Sequence, residues 1–317
     1  MLTQIMKRAG ADSCSIDEIR FLSTQPDVSA FGKVLYWFGD EHPLRGKNKM
    51  MPRNKLRQLL REGKPTVGTH YSCTWANLVE IIGNSSYFDY AEFTGQYGPY
   101  TPHDLEHLAR ACELTGMDAM IKIDQEPRTF IAIRAIQAGF TAMLFADSRN
   151  TEDVRKCVQS VKLIPQGGIN GVQMGRNWGY GTVRGQPVTL ADYAKAIDEI
   201  VIAIMIESKT LADDIEEALS IPGIDMIQFG PSDFSVSIGH PGEGYKNPQI
   251  SEALERCYQA AKRRGIRIRA ECGVEDMQKW IDMGCKDFCI GSDTGTISAW
   301  ARNSGKAIRD TIAKAKL

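Results

Sequence analysis

From residue 65 onward, short apolar stretches of strand length alternate with longer segments whose apolar residues recur with helical spacing. The first four strand candidates are residues 65–71, 88–95, 119–125 and 141–148. The second four are residues 200–208, 224–233, 265–273 and 286–293. Most are nearly continuous apolar runs, which is typical of parallel strands that are covered by helices on one face and packed inside a barrel on the other.

The segments between the strand candidates carry helix signals. Residues 251–265, for example, begin at Ser251, have Lys and Arg in the last turn and end at Gly265. A doubly wound open sheet is the main alternative, but it would carry a Gly-rich dinucleotide loop, and the chain has no GxGxxG motif. Eight strands that are each followed by a helix therefore predict an α/β protein, a (β/α)8 TIM barrel over residues 65–317.

Two segments fall outside this repeat. Residues 1–64 are polar and irregular, and we interpret them as an N-terminal extension that ends in a loop and a helix leading into the barrel. Residues 164–199 lengthen the connection after the fourth strand and are rich in glycine. A long excursion of this kind is typical of a lid or a pocket wall, so we predict a lid-like role for it.

The composition is that of a globular protein, with 43% hydrophobic residues, 24% charged residues and a net charge of −1. This charge gives no electrostatic reason to expect a nucleic-acid or membrane partner. No apolar run approaches the roughly 20 residues that span a bilayer, and the N-terminal sequence has no apolar signal core. The eight cysteines form no CxxC pair, so we expect reduced thiols in a cytoplasmic protein.

In a TIM barrel, polar residues at the C-terminal ends of the strands face the active site. The strand candidates end in a set of polar residues that is rich in carboxylates: His70, Glu92, Thr94, Lys122, Asp124, Asp147, Glu207, Asp233, Glu271 and Asp293. Carboxylates that converge on one place repel each other unless a cation lies among them. Oxygen ligands suit Mg²⁺ or Mn²⁺, so we expect one of these divalent metals as a cofactor.

Glu207 and Asp233 are the metal-ligand candidates. Glu207 follows seven apolar residues in a row, so its carboxylate needs a metal or an ion pair, and a salt bridge to Lys122 or Lys209 is the alternative. Asp233 follows the next strand, where capping a helix is the alternative. The small residues Gly230, Pro231 and Ser232 just before it would expose backbone N–H groups to an oxygen of the substrate.

Residues 206–242, which contain Gly-Pro-Ser-Asp at 230–233, resemble the metal-binding core of the HpcH/HpaI aldolase family. Further similarity extends over residues 51–300 and includes residues 138–155 and 289–295. The resemblance implies a barrel with a swapped C-terminal helix, a homo-oligomer such as a hexamer or a trimer of dimers, and Glu207 and Asp233 as metal ligands. It also implies a 2-oxo acid such as pyruvate or oxaloacetate as the ligand.

The chain departs from this family after the second strand. Family members carry Asp-x-Glu-His there, and the His and Asp act as an acid–base pair, whereas this chain has Thr94, Gln96 and Tyr97. Lys122 stands where the family has an arginine that binds the substrate carboxylate, and we expect Lys122 to take that role. A tyrosine, whose ordinary pKa is near 10, is a poor base at neutral pH but can donate a proton.

Tyr97, Glu92 and His70 are therefore the candidates for proton transfer. Alternatively, Tyr97 is a packing or lid residue, and Glu92 is an inward charge that pairs with Lys122. Arg176, in the glycine-rich excursion, is a candidate for neutralising a second carboxylate of the substrate.

These features together predict a divalent-metal-dependent carbon–carbon lyase of the aldolase type that acts on a 2-oxo acid through a metal-stabilised enolate. The replaced acid–base residues leave open a decarboxylase, a C–C hydrolase or a biosynthetic condensation on the same scaffold. A non-catalytic barrel that binds a metal or a small acid is the alternative from another class.

Overall fold

The computed structural model describes residues 54–183 and 186–315, so most of the predicted N-terminal extension lies outside the described residues. Eight parallel strands form a closed barrel in which each strand pairs with its neighbours in chain order and the last pairs with the first. The strands are β1 (Thr66–Tyr71), β2 (Tyr90–Phe93), β3 (Asp118–Ile123), β4 (Ala142–Phe145), β5 (Val201–Ile206), β6 (Met226–Phe229), β7 (Arg267–Glu271) and β8 (Asp287–Ser292). The predicted TIM barrel is confirmed.

Helices alternate with these strands around the barrel. They are α1 (Lys55–Arg61), α2 (Ala76–Asn84), α3 (Pro102–Thr115), α4 (Arg128–Ala138), α5 (Thr151–Val161), α6 (Leu190–Asp198), α7 (Lys209–Asp213), α8 (Ile215–Ala218), α9 (Pro231–Ser237), α10 (Pro248–Arg264), α11 (Met277–Asp282) and α12 (Asp293–Lys314). α10 begins before Ser251, where the sequence predicts its start, because the Asn247 side chain accepts the N–H of Gln249 and caps the helix there.

The inside of the barrel is filled by one cluster of mostly apolar side chains. Met120, Ala203 and Met226 pack there around Tyr90, and Leu56 of α1 closes the end at which the strands begin. A Cβ added at Gly68 would collide with the ring of Tyr90, so position 68 of β1 faces the inside of the barrel. A second, larger core lies between the strands and the surrounding helices.

The excursion over residues 164–199 packs on the outer helices, at the end of the barrel where the strands begin. Arg176 Nε donates to the carbonyl oxygen of Ala138 at 2.8 Å, and its guanidinium lies 2.5 Å from the carboxylate of Glu113. These partners lie at the C-terminal ends of α4 and α3, from which the chain turns into the next strands. The excursion therefore contacts the end opposite the mouth, which corrects the prediction of a lid.

The C-terminal helix α12 leaves the barrel. Among its described side chains only Asp293 is buried, while Ile297, Trp300 and Ile308 are exposed. Over residues 54–183 and 186–315, no helix is both long enough and apolar enough to cross a membrane.

Candidate active site

The C-terminal ends of β4, β5 and β6 bring carboxylates together at one side of the barrel mouth. Glu207 directly follows β5 and is buried. Its Oε1 accepts the backbone N–H of Asp147, a residue held at φ +54° after β4. Its Oε2 faces Gly230, where an added Cβ would lie 2.8 Å from this oxygen. The glycine after β6 thus provides the space in which the Glu207 carboxylate lies.

The surroundings of Glu207 disfavour its charge. Burial raises the pKa of the Glu207 carboxyl, and the nearby carboxylates of Asp147 and Asp233 add to this rise. The N–H of Asp147 and the charge of Lys122 act in the opposite direction without cancelling the effect. A cation placed among these carboxylates would favour the ionised form.

Asp233 lies in the first turn of α9. Gly230 is the N-cap residue of this helix and has no side-chain capping bond, so the helix-cap alternative for Asp233 is wrong. The Gly230 N–H donates to the carbonyl oxygen of Ile206 at 2.9 Å, and Pro231 has no N–H. Of the three residues predicted to offer amides to a substrate, only Ser232 keeps an N–H that the sheet and the helix do not use, which corrects that prediction.

The donor set fits a divalent cation with a preference for oxygen. Glu207 and Asp233 present carboxylate oxygens at neighbouring strand ends, and Gly230 leaves space at Oε2 of Glu207. In the described part of the chain, no group of three or more His, Cys, Asp and Glu side chains is placed to bind a metal ion. Mg²⁺ commonly binds through one or two carboxylates and completes its shell with water and substrate, which matches two protein ligands.

Lys122 and Tyr97 form a polar pair on the flank of the mouth. The buried Lys122 Nζ, on β3, donates to the phenol oxygen of Tyr97 at 2.8 Å, and the Tyr97 side chain is 65% exposed in the loop after β2. Burial alone would lower the pKa of Lys122, but the hydrogen bond to Tyr97 and the carboxylate charges of Glu207 and Glu92 outweigh it and raise the pKa. Lys122 is therefore a fixed positive charge that can bind a carboxylate.

Thr94 and Gln96, which replace two acidic positions of the family pattern, are held by other groups. The Thr94 hydroxyl lies 2.7 Å from Ser72 Oγ and donates to the carbonyl oxygen of Tyr71 at 3.0 Å. Gln96 Nε2 donates to the carboxylate of Asp147 at 2.8 Å. A hydroxyl and an amide held in this way do not supply a general base.

Glu92 lies below the mouth in a buried ion pair with Arg269, whose side chain is 1% exposed. Arg269 Nε also donates to the Tyr90 hydroxyl at 2.8 Å, and NH1 donates to Gln228 Oε1. This pairing corrects the prediction that Glu92 transfers protons, and it shows that the ion partner of Glu92 is Arg269 rather than Lys122. Sequence reasoning missed Arg269, although the period-two spacing of β7 puts it on the inner face.

His70 stands at the end of β1 on the wall opposite β5. Its Nδ1 lies 3.7 Å from Glu271 Oε1 and 3.8 Å from Cys289 Sγ. The structure thus brings eight of the predicted site residues to the mouth: His70, Tyr97, Lys122, Glu207, Asp233 and the turn of Gly230, Pro231 and Ser232. It places Glu92 beneath the mouth, and Arg176 at the other end of the barrel, which corrects the prediction that Arg176 binds substrate.

Comparison with known proteins points in one direction. The family model for HpcH/HpaI aldolase/citrate lyase matches residues 100–298. A 2-keto-3-deoxy-L-rhamnonate aldolase of Escherichia coli (strain K12) is 26% identical over 246 residues, which are 76% of this chain and 88% of the aldolase.

Two solved structures share the fold. An HpcH/HpaI aldolase from Desulfitobacterium hafniense DCB-2 has a TM-score of 0.72 and 24% identity over 80% of this chain and 96% of its own. Macrophomate synthase has a TM-score of 0.73 and 18% identity over 87% of this chain and 98% of its own. At these identities the likeness speaks for the barrel alone. Because the family model covers more than half of the sequence, the chain belongs to the HpcH/HpaI aldolase/citrate lyase family.

Proposed function

We propose that the chain is a divalent-metal-dependent carbon–carbon lyase of the aldolase type that acts on a 2-oxo acid. The observation that carries this proposal is the buried Glu207 carboxylate beside Asp147 and Asp233, with the cationic Lys122 close by at the same mouth. Mg²⁺ or Mn²⁺ held by Glu207 and Asp233 would supply positive charge next to the carbonyl oxygen of the acid, where negative charge develops. The aldolase relatives support the same reaction class.

The side chains of the barrel itself would bind and orient the acid. Lys122 is buried and charged, so its ammonium group can bind the carboxylate of the 2-oxo acid with little competition from water. Its hydrogen bond to Tyr97 holds the phenol beside that carboxylate. The phenol O–H can then donate a hydrogen bond to the bound acid.

Metal removal tests this proposal. Protein treated with a chelator and supplied with a panel of 4-hydroxy-2-oxo acids should form no pyruvate, and added Mg²⁺ or Mn²⁺ should restore the reaction. Glu207→Gln and Asp233→Asn should bind Mn²⁺ more weakly by calorimetry and lose turnover, while Glu217→Gln, at an exposed glutamate of α8, should behave like wild type. Full turnover by metal-free protein would refute the proposal.

Decarboxylation of a 2-oxo acid such as oxaloacetate is the second candidate. Thr94 and Gln96 occupy acidic positions of the family pattern and offer no base. Loss of CO₂ leaves its bonding electron pair on the three-carbon fragment without removal of a hydroxyl proton, so this reaction needs an acid such as Tyr97 but no base. Release of CO₂ from oxaloacetate, without cleavage of any 4-hydroxy-2-oxo acid, would favour this candidate.

We also propose that the chain forms a homo-oligomer through α12. The exposed Ile297, Trp300 and Ile308 give this helix an apolar surface that the barrel does not cover. Light scattering should report an oligomer for wild type and smaller species for Trp300→Glu. The net charge of −1 supports the absence of nucleic-acid and membrane partners, and a cytoplasmic location remains our expectation.

A further inference from the structure

His70 faces the interior of the barrel at the mouth. A Cβ added at Gly68 would point into the barrel, where the ring of Tyr90 occupies that space. His70 is two residues further along β1, and side chains two residues apart on a strand share one face. β1 lies four strands away from β5 in the closed order of eight, so it forms the opposite wall. A ligand held near Glu207 therefore has the imidazole of His70 across from it.

Glu271 is held next to this imidazole from below. One carboxylate oxygen lies 3.7 Å from His70 Nδ1, and the other accepts a hydrogen bond of 3.3 Å from Gln228 Nε2. The oxygen of the Gln228 amide in turn accepts from Arg269, whose charge is balanced by Glu92. The buried network of Glu92, Arg269 and Gln228 thus ends at the carboxylate of Glu271, which faces His70 from β7.

The other groups that face this imidazole do not compete for the role. From β8, Cys289 Sγ lies 3.8 Å from Nδ1, and burial raises the pKa of its thiol, which stays neutral. From β2, Glu92 pairs in register with His70, but its carboxylate is bound to Arg269. Both polar contacts of the ring within the described residues use Nδ1, so Nε2 is the nitrogen available to a substrate.

Stability does not account for this pair. The side chains of His70 and Glu271 are 20% and 53% exposed, and ion pairs with this exposure contribute about 0–1 kcal/mol. A carboxylate next to Nδ1 of a histidine instead fixes the tautomer and the orientation of the ring, which is its established role in acid–base catalysis. The separation of 3.7 Å is longer than a hydrogen bond, and contacts between catalytic groups are often this long before substrate binds.

We propose that His70 is the acid–base residue of this site and that Glu271 positions its imidazole, an inference that rests on the lyase function proposed above. In the cleavage direction, His70 Nε2 takes the proton of the C4 hydroxyl of a 4-hydroxy-2-oxo acid. The C3–C4 bond breaks, C4 becomes an aldehyde, and the bonding pair remains on the three-carbon fragment as an enolate. The imidazolium then returns the proton to C3 and gives pyruvate, so protons and electrons balance.

Hydrogen exchange in pyruvate tests the pair without knowledge of the aldehyde. The full-length protein with Mg²⁺ is incubated with pyruvate in D₂O, and the loss of the methyl signal is followed by ¹H NMR. His70→Asn should slow this exchange by roughly 10²- to 10⁴-fold. Glu271→Gln should slow it by about 10-fold or more while the Kd for pyruvate changes less than about twofold, because an orienting residue affects the rate rather than binding.

Two controls separate chemistry from folding. His107→Asn, on the exposed face of α3, and Glu217→Gln should exchange at the wild-type rate. Added imidazole should restore part of the exchange lost in His70→Ala, a rescue that a purely structural role would not give. If His70→Asn does not fold, Glu271→Gln and the imidazole rescue decide the question.

The outcomes separate this inference from the proposed function. Wild-type exchange that is unchanged in His70→Asn or Glu271→Gln overturns the inference and leaves the lyase proposal intact. A wild-type protein that neither exchanges the methyl protons nor cleaves any 4-hydroxy-2-oxo acid overturns both.

Discussion

The buried pair between Arg269 and Glu92 allows a sharp prediction of stability. Replacing Arg269 by Met keeps a similar volume but leaves the Glu92 carboxylate buried without its partner, and it also removes the donor to Tyr90 and to Gln228. Removing one member of a buried ion pair destabilises a protein by about 3–5 kcal/mol. With side-chain exposures of 1% and 3%, this pair belongs to that class.

The expected loss for Arg269→Met is therefore about 3–5 kcal/mol, or a Tm lower by roughly 6–20 °C for a barrel of this size. Urea unfolding followed by circular dichroism, at one protein concentration, measures it. Arg263→Met is the matched control, since its partner Glu216 lies on the surface and the pair has exposures of 59% and 53%. That control should change the free energy of unfolding by less than about 1 kcal/mol.

The double variant Arg269→Met/Glu92→Met isolates the charge effect. It should be more stable than Arg269→Met alone, because the unpaired buried carboxylate is gone and only the neutral groups of Tyr90 and Gln228 remain without their donor. The reasoning is refuted if Arg269→Met costs less than about 1 kcal/mol, or if the double variant is no more stable than the single one.

Three further predictions concern the mouth and its surroundings. Gly230→Ala places a Cβ 2.8 Å from Glu207 Oε2, so Mn²⁺ affinity by calorimetry should fall roughly 10- to 100-fold, whereas Gly305→Ala, where nothing lies within 4 Å, should have no effect. Lys122→Met removes the charge proposed to bind the substrate carboxylate and should raise the KM for a 2-oxo acid by about 10- to 100-fold, with stability checked by urea unfolding. Burial raises the pKa of Asp293, but three backbone N–H donors outweigh it and lower the pKa. The ionised carboxylate therefore stabilises the folded protein above the ordinary carboxyl range, and this stabilisation is lost as the pH falls through the lowered pKa. The urea midpoints of wild type and Asp293→Asn should therefore differ at neutral pH and converge in acid.

The barrel could be predicted from the sequence because the signals for its strands and helices lie within short segments of the chain. Each strand is a short apolar run, each following helix repeats its apolar positions, and closure into eight strands follows from their number. The sequence signal for the proposed metal ligands is also local: Glu207 follows an apolar run, and Gly230 to Asp233 form one continuous motif.

The errors come from pairings between residues far apart in the chain. Glu92 and Arg269 are separated by 177 positions, so nothing near Glu92 in the sequence indicates that its charge is already balanced. Arg176 lies in a glycine-rich segment, which made it a candidate for binding substrate. Its partner Glu113, 63 positions earlier in the chain, holds it at the other end of the barrel. A period-two pattern gives the face of a residue; it does not give the residue that shares that face on another strand.

A barrel can keep one part of its chemistry and rebuild another, because the two parts lie on different strands. The proposed cation ligands follow β5 and β6, and the carboxylate of Glu207 lies close to Gly230. His70 and Glu271 belong to β1 and β7, so the proposed acid–base pair uses strands other than those that precede the proposed metal ligands. Because the mouth is a ring, a substrate bound at one wall can be reached by side chains from several strands. The base can therefore come from any strand whose inner face offers a histidine with an orienting carboxylate beside it.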